Sequence, residues 1–139
     1  MNQPVMISGE VDQTITDLTR AIEILKESPW DQGQDFREDT LALCAYGAVR
    51  VATGGLVLDK TKPYGHHNAD VTSRYTSGSM DFIAARGLRD RASNVCRAFK
   101  RIMGDDIVKY NDAENRTKDQ VIRAMETVLA ELKKDPSRA

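Results

Sequence analysis

The first apolar pattern of the chain predicts an amphipathic helix. Apolar residues recur there at steps of four and three, at Val11, Ile15, Leu18, Ile22 and Leu25. This spacing places all five on one stripe of a helix. Ser8 is a suitable N-cap, and Pro29 ends the helix because the residue before a proline avoids the helical region.

Residues 41–52 form an apolar run in which Arg50 is the one strongly polar residue. The run is shorter than the ~18 residues that a membrane span needs, and it is too apolar for a surface helix. We predict a second helix that is capped by Asp35 or Asp39 and runs to about Thr53. Because its apolar residues occupy every face, the other helices must surround it.

Two further helices follow a less regular stretch. The irregular pattern of residues 56–78 indicates a long loop, with a short strand or turn at 56–58. A helical pattern then starts near Ser79 and ends at Gly104, a good C-cap. The last helix opens with a capping box formed by Thr117 and Gln120. Its core stripe consists of Val121, Ala124, Val128 and Leu132.

These patterns predict a single all-α domain over residues 1–139. About four main helices pack around a buried second helix, and the 56–78 loop connects helices 2 and 3. Residues 133–139 are expected to form a frayed, solvated tail.

Charge and cysteine content narrow the functional classes. The 139 residues contain 20 Lys and Arg against 21 Asp and Glu, a net charge of −1. This balance disfavours nucleic-acid or anionic-lipid binding by the whole surface. Cys44 and Cys96 lie in apolar helical patterns and are typical of buried thiols in a reducing compartment. With no signal-peptide pattern and no membrane span, we expect a cytoplasmic protein.

The residues best known for metal and nucleophile chemistry do not form a complete constellation. His66 and His67 are adjacent, but no Cys or His elsewhere has a recognised zinc spacing, so a solvated loop is favoured. Cys44 lies in the most apolar run, where a thiolate is disfavoured. We expect no metal and no cofactor, and the sequence favours a non-catalytic protein without excluding an enzyme.

Residues 86–101 carry a formal charge of +5. The candidate basic face comprises Arg86, Arg89, Arg97, Lys100 and Arg101. A basic helix face can contact phosphates, or it can form ion pairs with the acids of the first helix, such as Glu10, Asp12, Asp17 and Glu23. The second interpretation is favoured because the whole domain is not basic.

Four short motifs follow one another along the chain. They are Trp30-x-Gln32-Gly33, Cys44-x-x-Gly47-Ala48, Tyr110-Asn111-Asp112, and Arg116-Thr117 followed by Val121. Their order and spacing resemble the pattern of an uncharacterised family of small actinobacterial and actinophage proteins with a domain-of-unknown-function label. The aromatic position is more often tryptophan in that family, so Tyr110 departs from it, and residues 56–78 have no counterpart. The resemblance implies a fold and no reaction.

The motifs also predict one polar cluster, because the segments that carry them can meet across the second helix. Its candidate residues are Trp30, Gln32, Tyr46, Asn111, Asp112 and Arg116. Asn111 and Asp112 are expected to form a turn beside the last helix. The cluster can be a buried hydrogen-bond network that fixes helix register, which we favour, or it can line a small-ligand pocket.

Three functions remain open at this point. The favoured one is a non-catalytic binding protein with a protein partner, and the family resemblance allows a phage-encoded protein directed at a host factor. The first alternative is a ligand binder or enzyme with Asp112 as acid or base and with Asn111, Gln32 and Trp30 positioning the substrate. The second is nucleic-acid binding through residues 86–101. The sequence neither requires nor excludes a homodimer.

Overall fold

Helices account for most of the described chain. The computed structural model describes residues 8–34, 36–37, 40, 42–57, 69–70 and 80–139. The helices there are α1 (Ser8–Glu27), α2 (Ala45–Thr53), α3 (Met80–Met103), α4 (Ile107–Asp112) and α5 (Lys118–Lys134). Two antiparallel pairs of two-residue strands accompany them. They join β1 (Phe36–Arg37) to β2 (Ala42–Leu43), and β3 (Leu56–Val57) to β4 (Ala69–Asp70). The predicted all-α class is confirmed, and the short α4 adds to the four main helices.

Helix α2 is buried, as the apolar run predicts, but of the other three main helices only α1 and α3 pack closely against it. Six of its nine residues are buried, and the other three are half-buried. It packs against α1, α3 and α4, while α5 packs against α1 and α3. Leu18, Val49, Phe99 and Val128 come from four different helices and are all fully buried in one core. Burial of such side chains contributes about 1.5–3 kcal/mol each, which makes this core the main source of stability.

The predicted start of the second helix is wrong. The helix begins at Ala45 with Cys44 as its N-cap, so neither Asp35 nor Asp39 caps it. The thiol of Cys44 accepts a hydrogen bond of 3.3 Å from the backbone N–H of Gly47. Ala42 and Leu43 are instead extended and pair with β1. The prediction placed them in the helix because a buried strand and a buried helix present the same apolar run in sequence.

The first and last helices follow their predicted patterns. The stripe on α1 is buried at Val11, Leu18, Ile22 and Leu25, with Ile15 half-buried. The helix begins at Ser8 itself, one residue earlier than a Ser8 N-cap would place its start, and it ends at Glu27, two residues before Pro29. At the start of α5, the Thr117 hydroxyl and the Gln120 side chain form the reciprocal hydrogen bonds of the predicted capping box. All four stripe residues of α5 are buried.

The two predicted irregular segments have different outcomes. A short strand does begin the 56–78 segment, at β3. Residues 58–68 and 71–79 lie outside the described residues, and so do His66 and His67. Residues 133–138 are exposed, as expected of a solvated tail, but Pro136–Arg138 form a 3₁₀ helix and Ala139 is buried. Arg101 of α3 donates a hydrogen bond to the Ala139 carbonyl oxygen, which holds this end against the bundle.

An ion pair joins α1 to α3. The Arg91 guanidinium donates two hydrogen bonds to the Asp17 carboxylate, at 2.6 and 3.1 Å. Asp17 is 2% exposed and also accepts a hydrogen bond from Gln13. This is one of the ion pairs between the third and first helices that the charge pattern favours. None of the helices in the described part is long and apolar enough to cross a membrane.

Candidate functional site

The candidate site centres on the side-chain amide of Asn111, which is fully buried. Its Oδ1 accepts hydrogen bonds from the Trp30 indole Nε1 at 2.8 Å and from the Ala45 backbone nitrogen at 3.0 Å. Its Nδ2 donates to the Asp31 carbonyl oxygen at 3.0 Å and to Asp112 Oδ1 at 2.9 Å. An amide offers two lone pairs and two N–H groups, so every hydrogen-bonding position of Asn111 is occupied.

The short helix α4 places Asn111 at the centre of the site. Asp106 is its N-cap and accepts hydrogen bonds from the backbone nitrogens of Val108 and Lys109. Ile107 is buried on the same helix and anchors it in the core. The expected turn at Asn111 and Asp112 is therefore wrong, because both are the last residues of a helix that the Asp106 cap starts.

Asn111 also caps another helix. Ala45 is the first residue of α2, and its backbone N–H has no partner within that helix. The Asn111 oxygen satisfies this donor from a position 66 residues further along the chain. The start of α2 is thereby fixed by a side chain that is distant in the sequence.

Gln32 and Gly33 hold the segment after Trp30 against the end of α4. The Gln32 side-chain nitrogen donates to the carbonyl oxygens of Asn111 at 2.9 Å and of Ala113 at 3.1 Å. The Gly33 backbone nitrogen donates to Asp112 Oδ1 at 2.9 Å. Gly33 has φ +86°, a left-handed conformation that favours glycine. Gln32 and Asp112 are both exposed, so they form the outer edge of the site rather than a buried pocket.

The segment from Pro29 to Asp31 runs alongside β2. The Leu43 backbone nitrogen donates to the Pro29 carbonyl oxygen, and the Asp31 nitrogen donates to the Leu43 carbonyl oxygen. This pairing fixes Trp30 between them, where it is half-buried and packs against the core. The Gln34 side chain hydrogen-bonds the carboxylate of Asp31 and, with the Gln32 backbone N–H and the charge of Arg37, holds the pKa of Asp31 below its usual value.

Arg116 and Tyr110 form a stacked pair next to the amide. The Arg116 guanidinium carbon lies 3.8 Å from the centre of the Tyr110 ring, and its Nε donates to the Tyr110 carbonyl oxygen at 2.9 Å. Tyr110 also meets the buried Phe99 ring edge to face, with centroids 5.6 Å apart. Arg116 therefore ties the end of α4 to the start of α5. Tyr46, the remaining predicted member of the cluster, is half-buried and packs against the core. It is not one of the four hydrogen-bond partners of the Asn111 side chain.

The structure thus brings together Trp30, Gln32, Asn111 and Asp112 from two distant segments, with Arg116 beside them. Asn111 and Trp30 use their side-chain donors and acceptors on each other, on the backbone and on the Asp112 carboxylate. This geometry matches a hydrogen-bond network that fixes the packing of α2 and α4, which is the favoured sequence interpretation. A shallow groove of about 360 Å³ lies elsewhere on the molecule, and it is lined by α1 residues, including Thr19 and Arg20, and by Lys133.

The residues of the candidate basic face differ in their exposure. Arg101 is half-buried and bonds the Ala139 carbonyl oxygen. Arg86, Arg89 and Lys100 are exposed, and Arg97 is half-exposed. Arg91, which belongs to the same helix, points inward to Asp17. Three residues of the face are therefore exposed, and Arg97 is partly exposed on the same side of α3.

Sequence reasoning missed the backbone groups that complete the site. Ala45 and Ala113 contribute a main-chain nitrogen and a carbonyl oxygen, which no side-chain pattern identifies. Gly33 carried a signal, since glycine is the residue that most readily adopts the left-handed backbone conformation of tight turns. Within the described ranges, no three His, Cys, Asp or Glu side chains come close enough to hold a metal ion.

The comparisons with known proteins add a family but no activity. A family of unknown function, DUF6197, matches residues 10–131, a region that includes all four sequence motifs. No curated protein and no solved structure gives a significant match. The chain therefore belongs to DUF6197, a family of unknown function.

Proposed function

We propose that the protein is non-catalytic and acts by binding a partner protein. The observation that carries this proposal is the saturated state of Asn111, whose side chain is fully buried with all four hydrogen-bonding positions occupied. A residue in this state holds the fold together and has no group left for a substrate. Function then belongs to the surface of the bundle.

The nature of that surface supports a polar contact. Among the described side chains, Val108 is the one large hydrophobic residue that is exposed, at 38%. A contact that buries an extended apolar patch is therefore not what these helices offer. Charged side chains dominate the exposed faces, and they favour an interface in which charge complementarity sets the specificity and the association rate.

The cellular setting of the proposal comes from the cysteines and the motifs. Cys44 and Cys96 both lie in the described part of the chain and are thiols rather than a disulfide. This state supports a cytoplasmic location. The motif resemblance to actinobacterial and actinophage proteins directs the search for a partner to actinobacterial cells, and a phage-encoded copy would act on a host factor.

Affinity capture with a matched variant tests the proposal. The full chain is used as bait in an actinobacterial lysate, and each enriched protein is purified and measured against the bait alone. Asp112→Asn serves as the matched bait, since its Oδ1 still accepts from Gly33 and Asn111. We expect one purified protein to bind both baits with a saturable, equal affinity.

Two results would contradict the proposal. One is that no purified protein binds the bait in the two-component measurement. The other is that a small molecule from a metabolite library raises the melting temperature of the native protein but not of Asp112→Asn. The second result would favour the alternative of a small-ligand binder or enzyme that uses Asp112.

A further inference from the structure

The shallow groove of about 360 Å³ lies where the end of α5 meets α1. Lys118, at the start of α5, donates a hydrogen bond to the Ser28 carbonyl oxygen just after α1, so the two helices are antiparallel and Lys133 lies beside the middle of α1. The residues that line the groove are Ile15, Thr16, Thr19, Arg20, Glu23 and Lys133. None of them belongs to the Asn111 network, so the groove is a separate surface feature.

The side-chain donors that the groove offers to a ligand belong to its two cations. The hydroxyls of Thr16 and Thr19 donate to backbone carbonyl oxygens of α1 itself, at 3.0 and 2.7 Å, so their hydrogens are already used. Arg20 and Lys133 are exposed, and within the described part of the chain neither side chain has a hydrogen bond or an ion pair. A ligand of this groove therefore needs acceptor groups that meet a guanidinium and an ammonium group.

The chemistry of the lining matches a carboxylate on a short carbon chain. Arg20 and Lys133 are positive and Glu23 is negative, so the lining carries a net charge of +1. Ile15 is half-buried and adds an apolar wall. A guanidinium binds a carboxylate through two parallel hydrogen bonds, and an ammonium group adds a further donor. A glutamate side chain combines both parts, because methylene groups precede its carboxylate.

The shallow form of the groove favours a side chain of a protein over a free metabolite. Pockets that bind small molecules bury about 70–90% of the ligand surface. A groove along the outer side of two helices leaves a free ligand largely in water, where ion pairs contribute little. A side chain that projects from a partner is covered by the partner surface, which excludes water from the ion pairs. The groove therefore suits a residue that a docked protein brings to it.

We propose that this groove receives a glutamate side chain of the partner protein, with the carboxylate at Arg20 and Lys133 and the methylene groups against Ile15. This inference rests on the proposed function and adds one contact of the interface and the chemistry of the partner residue. A stable interface buries about 800 Å² on each partner, so the groove is one anchor within a larger contact. Charge complementarity at this anchor contributes to the choice of partner more than to the total affinity.

Two blocked amino acids test the groove without a known partner. The probe is N-acetyl-glutamate N-methylamide, and its control is the glutamine derivative, which has the same shape without the charge. Each is titrated into the isotope-labelled full chain, and binding is followed by NMR shift changes. We expect the glutamate probe to bind in the millimolar range and to shift the amide signals of Thr16, Thr19 and Lys133. The glutamine derivative should bind about fivefold more weakly, because it lacks the ion pairs.

Variants of the full chain complete the test. The groove variant is Arg20→Gln with Lys133→Gln, and the control variant is Lys109→Gln with Arg123→Gln, two exposed cations that do not line the groove. We expect the groove variant to bind the glutamate probe about fivefold more weakly, and the control variant to bind it within about 30% of the native affinity at physiological salt. Glu23→Gln removes the negative charge of the lining and should strengthen binding about twofold, a gain that a folding defect cannot produce.

Several results would overturn the inference. The glutamate probe fails to bind or binds no better than the glutamine derivative, or the groove variant and the control variant weaken binding equally. Free glutarate provides the metabolite arm, and if it binds about tenfold tighter than the probe and loses this affinity in the groove variant, the groove belongs to a small dicarboxylate. If a captured partner binds the groove variant as well as the native chain, the inference fails while the proposed function stands.

Discussion

The indole nitrogen of Trp30 donates a hydrogen bond of 2.8 Å to Oδ1 of Asn111, a residue 81 positions later in the chain. The same oxygen accepts from the first backbone nitrogen of α2 at 3.0 Å. One buried amide therefore joins the segment after α1, the start of α2 and the end of α4. This arrangement connects a local sequence motif to the packing of the whole bundle.

Asn111→Ala tests how much stability this amide contributes. The substitution leaves the Trp30 N–H, the Ala45 N–H and the Asp31 carbonyl without a partner. Each unsatisfied buried group costs about 1–3 kcal/mol, and solvent reaches some of them, so we expect a loss of about 3 kcal/mol. Urea unfolding followed by circular dichroism measures it.

Asn94→Ala is the control for that experiment. Asn94 lies within α3 and is half-buried, and alanine has the higher helix propensity. We expect the control to change the unfolding free energy by about 0.5 kcal/mol or less. Equal losses in the two variants would contradict the structural role of Asn111.

Removing either partner of the Asp17–Arg91 pair should reduce stability by a different amount. Asp17 is 2% exposed, while the side chain of Arg91 is 37% exposed. Arg91→Met leaves a buried carboxylate with the amide of Gln13, which should cost about 3 kcal/mol. Asp17→Asn leaves an arginine that water can reach, and we expect a loss of about 1 kcal/mol. Chemical denaturation of both variants gives the comparison, and a larger loss for Asp17→Asn would contradict this description.

Asp31 predicts part of the acid sensitivity of the fold. The hydrogen bond from Gln34 is the largest cause that lowers the pKa of Asp31 below its unfolded value of 3.8. A lowered pKa means that the ionised carboxylate stabilises the fold above pH 3.8, and that this contribution is lost as the pH falls through the folded value. We expect the melting temperature of the native chain to fall from about pH 5 towards pH 2.

Asp31→Asn should reduce the slope of that decline. The substitution preserves the Asp31 carbonyl that accepts from Asn111, so the network stays intact. Melting curves of the two proteins across this pH range provide the test. Parallel declines would mean that other carboxylates determine the acid sensitivity.

The helices with strong local signals were predictable from the sequence. The α1 stripe and the Thr117–Gln120 capping box each depend on residues within one helix, and the structure has both. The burial of α2 also followed from its apolar faces. In these places the local pattern and the global packing require the same conformation.

The start of α2 depended on contacts between distant segments, and α4 gave no periodic signal in the sequence. Ala42 and Leu43 are apolar like the helix that follows, and their extended form is fixed by pairing with β1 and with the Trp30 segment. Helix α4 has six residues, which is too short for a periodic pattern. Its buried Ile107 and its Asp106 cap determine it instead.

The sequence predicted four side chains of the cluster, with Arg116 beside them, but it did not predict their hydrogen bonds. The motifs brought Trp30, Gln32, Asn111 and Asp112 to attention, and the fold places these side chains together. The partners of Asn111 include backbone groups of Asp31 and Ala45, which have no side-chain signature in sequence. For this reason the sequence left the network and the ligand pocket as open alternatives.

Hydrogen exchange of the Trp30 indole tests the central claim most directly. Trp30 is the only tryptophan of the chain, so its Nε1 proton gives a single, readily assigned NMR signal. If that proton is held by the saturated Asn111 amide, it exchanges only when the bundle opens, and its protection approaches the free energy of global unfolding. Exchange at the rate of a free indole in the folded protein would contradict the account.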